Sequence, residues 1–237
     1  GPTTADAAEG LRVALPAIEE LYPRLRLIAV AAALVLTLLV GQWAAGQWLA
    51  WLRFQNAETF GVSDPVFARD FSFYVFVLPF LRSLAGFVQL TLFAAAVASA
   101  AAYFLQGQIW ARSGFAAVSS RARRHLLLLG AGVLVTVAVQ TFLGRYELLH
   151  STRGMVAGAG YADLHATLPA LHIAAAVSAL AALAVVFEAF GRSLRLSLTS
   201  VAAVVLVHVV LVQLWPLALQ RLIVAPNEIE RERPYIA

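Results

Sequence analysis

Five long runs of apolar residues restrict what this chain can fold into more than any other feature. Each run approaches or exceeds the roughly 20 residues that a helix needs to cross the hydrocarbon core of a bilayer. The runs are Leu27–Leu52, Leu84–Leu105, Leu126–Leu143, Leu168–Phe190 and Leu196–Leu219. Because lipid offers the backbone no hydrogen-bond partners, such runs must be helical. The sequence therefore predicts an all-α fold, a polytopic transmembrane helix bundle with five spans.

The composition supports a membrane protein and excludes several other classes. Of the 237 residues, 61% are hydrophobic and only 13% are charged, against about 25% charged in soluble domains. The net charge is +4 and every basic residue is an arginine. These arginines are dispersed at the ends of the apolar runs, where they anchor helices, so we predict the lipid bilayer as a partner and no nucleic acid. With no cysteine, the chain has no disulfide, thiolate metal site or cysteine nucleophile.

Two polar segments between the runs carry most of the chemistry. The first loop segment, Arg53–Arg82, is dense in aromatic residues, and Pro65 and Pro79 are expected to prevent one continuous helix there. We predict that it lies in the interface plane and packs on the bundle. A re-entrant loop that lines a pathway is the alternative. The second loop segment, Arg145–Thr167, contains several glycines and joins the third and fourth runs.

The distribution of arginine predicts the orientation. Eight arginines flank the runs on each side, so their number alone decides nothing. The loop Gln106–His125, however, carries four arginines and no acidic residue, which is typical of a cytoplasmic loop. We predict a cytoplasmic membrane-proximal arm at 1–22, a five-span domain at 23–224 and an outer polar junction at 225–237. The N-terminus is then inside and the C-terminus outside.

Charged residues in the loop segments are the first candidate site. Ionisable groups at membrane depth are costly and usually pair. The predicted ion pairs that fasten the two loop segments together are Arg145 with Glu147 or Asp163, and Arg153 with Asp64 or Asp70. A proton or ion pathway through Glu147 and Asp163 is the alternative. Farther along, Glu188 precedes Arg192 by four residues, the spacing of a helical ion pair.

Histidines form the second candidate set. His150, Asp163 and His165 combine imidazole with carboxylate, a ligand set that suits zinc or manganese. The spacing Asp-x-His is common by chance, and we predict no metal and no cofactor. His172 and His208 lie within apolar runs, where a histidine hydrogen-bonds across helices or ligates a haem. We favour the first interpretation and keep His165, His172 and His208 as candidate ligands.

Three stretches resemble a known family. They are NAETFGVSDPVFARDFSFYVFVLPF at 56–80, RYELLHSTRGMVAGAGYADLHATLPAL at 145–171 and QRLIVAPNEIERERPYI at 220–236. Together they resemble the bacterial uncharacterised protein family 182, which implies a large multi-pass protein of the cytoplasmic membrane with seven spans and an extracytoplasmic domain after the last one. The resemblance implies that this chain holds the last five spans. It implies no established activity.

The residues offer no sign of catalysis. The chain has no Gly-x-Ser-x-Gly, no His-Glu-x-x-His and no phosphate-binding loop. We predict a non-enzymatic anchor and scaffold domain of a larger envelope protein, with other membrane or envelope subunits as partners. A transporter or channel-like module with its pathway through the loop segments is one alternative. A cofactor-binding or accessory subunit of a membrane complex is the other.

Overall fold

A computed structural model of the chain describes residues 40–106, 109–112, 115–152, 158–191 and 193–227, together with ten further positions. The ten are 27, 30, 31, 33–35, 37, 38, 230 and 231. The predicted arm at 1–22, most of the junction at 225–237 and Arg153 lie outside the described residues. The chain divides into two compact units, Gly1–Asn56 and Ala57–Ala237.

In the part of the chain that the structure describes, five helices are long and apolar enough to cross a membrane, which confirms the all-α class and the five predicted spans. They are α1 (Ala33–Gln55), α2 (Phe73–Phe104), α3 (Ser120–His150), α4 (Asp163–Ala189) and α5 (Arg195–Asn227). Their regular α-helical parts are Trp48–Gln55, Leu78–Leu105, Ser120–Gly144, Leu168–Ala189, Arg195–Val207 and Trp215–Leu219. The second helix begins well before the predicted Leu84. The aromatic end of the first loop segment is therefore helical, and Pro79 does not stop it.

Proline explains where these helices leave α-geometry. Segments with π-helical hydrogen bonding occupy Phe73–Val77, Asp163–Thr167, His208–Leu214 and Gln220–Val224. Each ends two residues before a proline, and in each the residue preceding that proline donates its N–H to the carbonyl five residues back. A proline ring clashes with the carbonyl four residues earlier and offers it no N–H. Widening the preceding turn relieves the clash, so these prolines shape the helices without breaking them.

A short β-hairpin joins α2 to α3. Strand β1 (Ile109–Arg112) pairs antiparallel with β2 (Phe115–Val118), and the register places Ile109 opposite Val118. The charge pattern of this stretch predicts a basic loop. Apolar residues enter both strands, and two intervening residues suffice to reverse an antiparallel pair. The all-α class holds for the rest of the described chain.

Small side chains let α3, α4 and α5 pack closely. The buried cluster between them comprises Ala131, Leu134, Ala181, Ala182, Val185 and Val204. Among the five long helices, α4 has the largest buried share of its apolar window. In lipid, where apolar burial gives little drive for association, small residues stabilise helix pairs by allowing close contact. Gly132 of α3 serves the same purpose, since a Cβ there would lie 3.1 Å from Leu92 Cδ1 of α2.

The turn between α4 and α5 uses a carboxylate as a helix cap. Buried Glu188 accepts hydrogen bonds from the backbone N–H of Leu196, at 3.1 Å, and of Ser197. The first-turn N–H groups of a helix have no partner within the helix, so an anion there stabilises its start. Arg192 lies outside the described residues, so the expected pairing of Glu188 with Arg192 stays a prediction. Arg123 of α3 donates to the Gly191 carbonyl and joins this turn to α3.

Candidate functional site

Asp64 organises the turn at the centre of the first loop segment. Its carboxylate accepts hydrogen bonds from the backbone N–H of Val66 at 2.9 Å, Phe67 at 2.6 Å and Arg69 at 2.9 Å. The Tyr74 hydroxyl donates a fourth bond, at 2.6 Å. Only 2% of Asp64 is exposed. The turn is tight enough to hold Ala68 at a φ of +53°, a conformation that a non-glycine residue adopts only when its surroundings enforce it.

Asp70 closes the same loop from its other end. It accepts hydrogen bonds from the backbone N–H of Phe60 at 3.1 Å, Gly61 at 2.8 Å and Ser72 at 2.8 Å. The bond from Ser72 makes Asp70 the N-cap of the helical stretch that leads into α2. Gly61 has a φ of +72°, which suits glycine. Asp64 and Asp70 together satisfy the backbone of a loop that has little regular structure.

The hydrogen bonds also keep both carboxylates charged. Burial opposes ionisation of Asp64, yet the bonds from Tyr74, Phe67, Arg69 and Val66 together hold its pKa below the usual range. Hydrogen bonding by Ser72, Phe60 and Gly61 lowers the pKa of Asp70 to about 2. The described bonds to these carboxylates come from backbone N–H groups and from the neutral hydroxyls of Tyr74 and Ser72. The pairing of either carboxylate with Arg153 stays a prediction.

An aromatic cluster joins the two loop segments. Tyr146 of the second segment packs edge-on against Phe67, Phe73 and Tyr74 of the first, with ring centroids 5.1, 4.9 and 6.0 Å away. Tyr74 and Tyr146 are buried, together with Leu78 and Leu143. Edge-to-face aromatic pairs contribute about 0.5–1.5 kcal/mol each beyond the area they bury. The expected contact between the loop segments is present, and aromatic rings form much of it.

Among the described residues, one ion pair links the segments, and its basic partner differs from the predicted one. Glu147 pairs with Arg82 of α2. Both side chains are partly exposed, at 58% for Glu147 and 30% for Arg82. The predicted pairing of Glu147 with Arg145 is wrong. Side chains two positions apart on a helix point in different directions, so Glu147 reaches α2 while Arg145 turns towards α4.

Arg145 lies among aromatic rings and neutral hydrogen-bond acceptors. Its guanidinium carbon is 3.8 Å from the Phe142 ring centroid, 4.6 Å from that of Tyr146 and 6.0 Å from that of Phe67. Its Nη2 donates to the Tyr146 hydroxyl at 2.5 Å, and its Nη1 lies 3.2 Å from His172 Nε2. No carboxylate among the described residues is within ion-pair distance of this guanidinium. The predicted pairing with Asp163 is therefore wrong as well.

Asp163 and His165 lie in the first turns of α4 and make local contacts there. Asp163 is 1% exposed and accepts a hydrogen bond from Thr167 Oγ1 at 3.3 Å, within the π-helical turn before Pro169. The ring of His165 stacks on Tyr161 at 4.3 Å, and its Nδ1 lies 3.1 Å from the Tyr161 carbonyl. In the described part of the chain, no three His, Asp or Glu side chains converge as a metal ion would require. His150, Asp163 and His165 form no such group.

His208 is bound on both ring nitrogens. Nε2 lies 3.0 Å from the Thr141 hydroxyl of α3, and Nδ1 lies 2.9 Å from the Val204 carbonyl. Nδ1 must donate to that carbonyl, so Nε2 accepts from Thr141. His208 thus makes the interhelical hydrogen bond that is predicted for a histidine within an apolar helix. On the neighbouring face of α3, Gln140 donates to Gln89 of α2.

Sequence reasoning overlooked two residues that the site depends on, Tyr74 and Arg82. A signal for the turn around Asp64 was present, because Asp followed by Pro favours turn initiation. Nothing in the spacing indicated that Tyr74 would reach back to that turn. The role of Arg82 follows only from the packing of α2 against α3.

These features define an α-helical membrane protein in which a hydrogen-bonded loop and an aromatic cluster join two helices at one end. The chain belongs to the uncharacterised protein family UPF0182, whose family model matches residues 7–237.

Relatives of the same family name support this assignment. The chain is 34% identical to a UPF0182 protein of Pelobacter propionicus over 93% of its own length and 25% of that protein. It is 36% identical to one of Geobacter sulfurreducens, over 92% and 24% of the two chains, and 35% identical to one of Mycobacterium tuberculosis, over 90% and 22%. The chain spans about a quarter of the length of the curated relatives it matches. No solved structure matches it.

Proposed function

We propose that this chain is a multi-pass, non-enzymatic anchor and scaffold in the bacterial cytoplasmic membrane, with the N-terminus inside and the C-terminus outside. The observation that carries the proposal is the use of the loop carboxylates. Asp64 and Asp70 bind the backbone of their own loop, and Glu147 binds Arg82. Carboxylates that are bound in this way stabilise the loop, and they are poor candidates for catalysis or ion transport.

The loop so formed presents apolar side chains outward. Phe60 and Val62 are 51% and 58% exposed, although both belong to the loop that Asp70 closes. Exposed apolar residues on a loop whose backbone is held by hydrogen bonds suit a protein partner. A further segment of the same protein or another envelope subunit is the partner that this proposal predicts.

The two alternatives have less support. A pathway through Glu147 and Asp163 needs carboxylates that can exchange protons or ions, whereas Glu147 is paired with Arg82 and Asp163 is buried within a helical turn. A haem-type ligand needs a free imidazole nitrogen. Both nitrogens of His208 are hydrogen-bonded, and Nε2 of His172 faces Arg145.

Site-specific photo-crosslinking in native membranes tests the scaffold. A photoreactive residue at Phe60 is expected to form one discrete protein adduct, which disappears when Asp64→Ala disorders the loop. The same residue at Phe187, which is 78% exposed on α4, serves as the lipid-facing control. Equal adduct yields at Phe60 and Phe187 would contradict the scaffold proposal. An adduct at Phe60 whose yield does not change with Asp64→Ala would contradict it as well.

A further inference from the structure

Arg145 is held by side-chain hydrogen bonds as well as by aromatic rings, a combination that the described contacts of Arg82, Arg123 and Arg124 do not show. Arg82 has a carboxylate partner and Arg123 has the carbonyl oxygen of Gly191. Arg145 has a hydroxyl, an imidazole and aromatic rings, all of them neutral. Rings and hydrogen bonds fix the guanidinium in place, yet no described anion balances its charge. The segment 153–157 of the neighbouring loop contains no acidic residue either.

The remaining donors of the site are suited to an anion. Each Nη of a guanidinium carries two hydrogens, and the described hydrogen bonds use one on each. One N–H on each Nη therefore remains for a ligand. His172 must accept through Nε2, because arginine has no acceptor. The guanidinium is planar, and its N–H groups can donate to two oxygens of one phosphate group.

The depth of Arg145 indicates where that phosphate comes from. The α-helical part of α3 has 25 residues, which is about 37 Å of helix at 1.5 Å per residue. The hydrocarbon core is about 30 Å thick and the bilayer with its headgroups about 40–45 Å. With Ser120 at one interface, Arg145 reaches the headgroup level of the other. Beside it, Phe142 and Ile173 are 42% and 48% exposed, and they suit contact with acyl chains.

We propose that Arg145, held in place by His172, binds the phosphodiester of an anionic glycerophospholipid. The site lies where α3 meets α4, and the proposal goes beyond the scaffold role without depending on it. A headgroup that carries its own cation, such as choline, already balances the phosphate charge and gains less from the guanidinium. The shared chemistry is phosphate recognition, and free phosphate is the other source to be distinguished.

Native mass spectrometry of the purified chain tests this site. The probes are phosphatidylglycerol, phosphatidylcholine and inorganic phosphate, added separately. We expect phosphatidylglycerol to be retained about tenfold more than phosphatidylcholine, because only phosphatidylglycerol has a net negative charge, and a tenfold ratio corresponds to about 1.4 kcal/mol of additional attraction. Arg145→Gln is expected to abolish this preference and His172→Leu to weaken it. His172→Gln keeps a side-chain acceptor and is expected to restore it.

The matched control is Arg124→Gln, which removes an exposed arginine that also lies over a phenylalanine, Phe190 at 5.4 Å, at the opposite end of α3. It should leave the lipid preference unchanged. Equal retention of the two lipids by the unaltered chain overturns the proposal, and so does equal loss in the Arg124 and Arg145 variants. Retention of inorganic phosphate that depends on Arg145 and exceeds the retention of phosphatidylglycerol overturns the assignment to a lipid.

Discussion

Replacing Tyr74 with phenylalanine is the sharpest test of how the first loop segment is held together. Tyr74→Phe removes a single oxygen and leaves the ring in its cluster with Phe73 and Tyr146. The lost hydroxyl donates at 2.6 Å to the buried Asp64 carboxylate. The three backbone N–H donors of the turn remain, so the experiment isolates the bond between loop and helix.

The structure sets the magnitude of the effect. A hydrogen bond to a charged group contributes about 1.5–3 kcal/mol, against about 0.5–1.5 kcal/mol for a typical neutral one. For a chain of this size each kcal/mol lowers the thermal midpoint by about 2–4 °C. Tyr74→Phe is therefore expected to lower the midpoint by roughly 3 °C at the least, and it should also lower the free energy of unfolding in denaturant.

Tyr103→Phe is the matched control for Tyr74→Phe. It deletes the same oxygen from the other end of α2, where the hydroxyl lies 2.9 Å from His125 Nδ1 in an exposed position. Exposed neutral bonds compete with water, so this change should cost clearly less. A double-mutant cycle of Tyr74→Phe with Asp64→Asn measures the coupling directly. If the two tyrosine variants are equally stable, or the cycle shows no coupling, Asp64 does not organise the loop as described.

Three further predictions address the backbone, the charge and the orientation of the chain. Gly61→Ala places a side chain at a φ of +72° and should cost about 1 kcal/mol in denaturant unfolding, whereas Gly144→Ala, with open space around its Cβ, should not; equal effects would contradict the strained turn. The pKa of Asp70 falls to about 2 in the folded chain, from an ordinary value of 3.8. Its contribution to folding stability is therefore present above about pH 4 and is lost as the pH falls towards 2. The thermal midpoint of Asp70→Asn should accordingly depend less on pH between pH 5 and 3 than that of the unaltered chain. Cysteines at Ser120 and Thr152 should react with impermeant reagents from the cytoplasmic and outer sides respectively, and labelling of both from one side would reject the proposed orientation.

The sequence by itself determined the features that depend on solvent and on local geometry. Apolar runs of this length must be helical in lipid, whatever they pack against, so α1 to α5 follow from composition and length. The wide turns before Pro79, Pro169, Pro216 and Pro226 have an equally local cause, because a proline disturbs only the turn that precedes it. The ranges of the apolar runs showed where helices are required, but not that α2 would begin as early as Phe73.

The tertiary structure decided which polar groups meet. Glu147 and Arg145 are separated by one residue, yet they face α2 and α4 respectively, and only the rotation and packing of α3 assign them Arg82 and His172 as partners. The described hydrogen bonds of Asp64 come from its own turn and from Tyr74, and the sequence did not indicate Tyr74 as a partner. Charges attract at any spacing in sequence, whereas a hydrogen bond needs atoms within about 3 Å. Whether two atoms come that close depends on how the helices are placed, and the spacing of residues along the chain does not specify that placement.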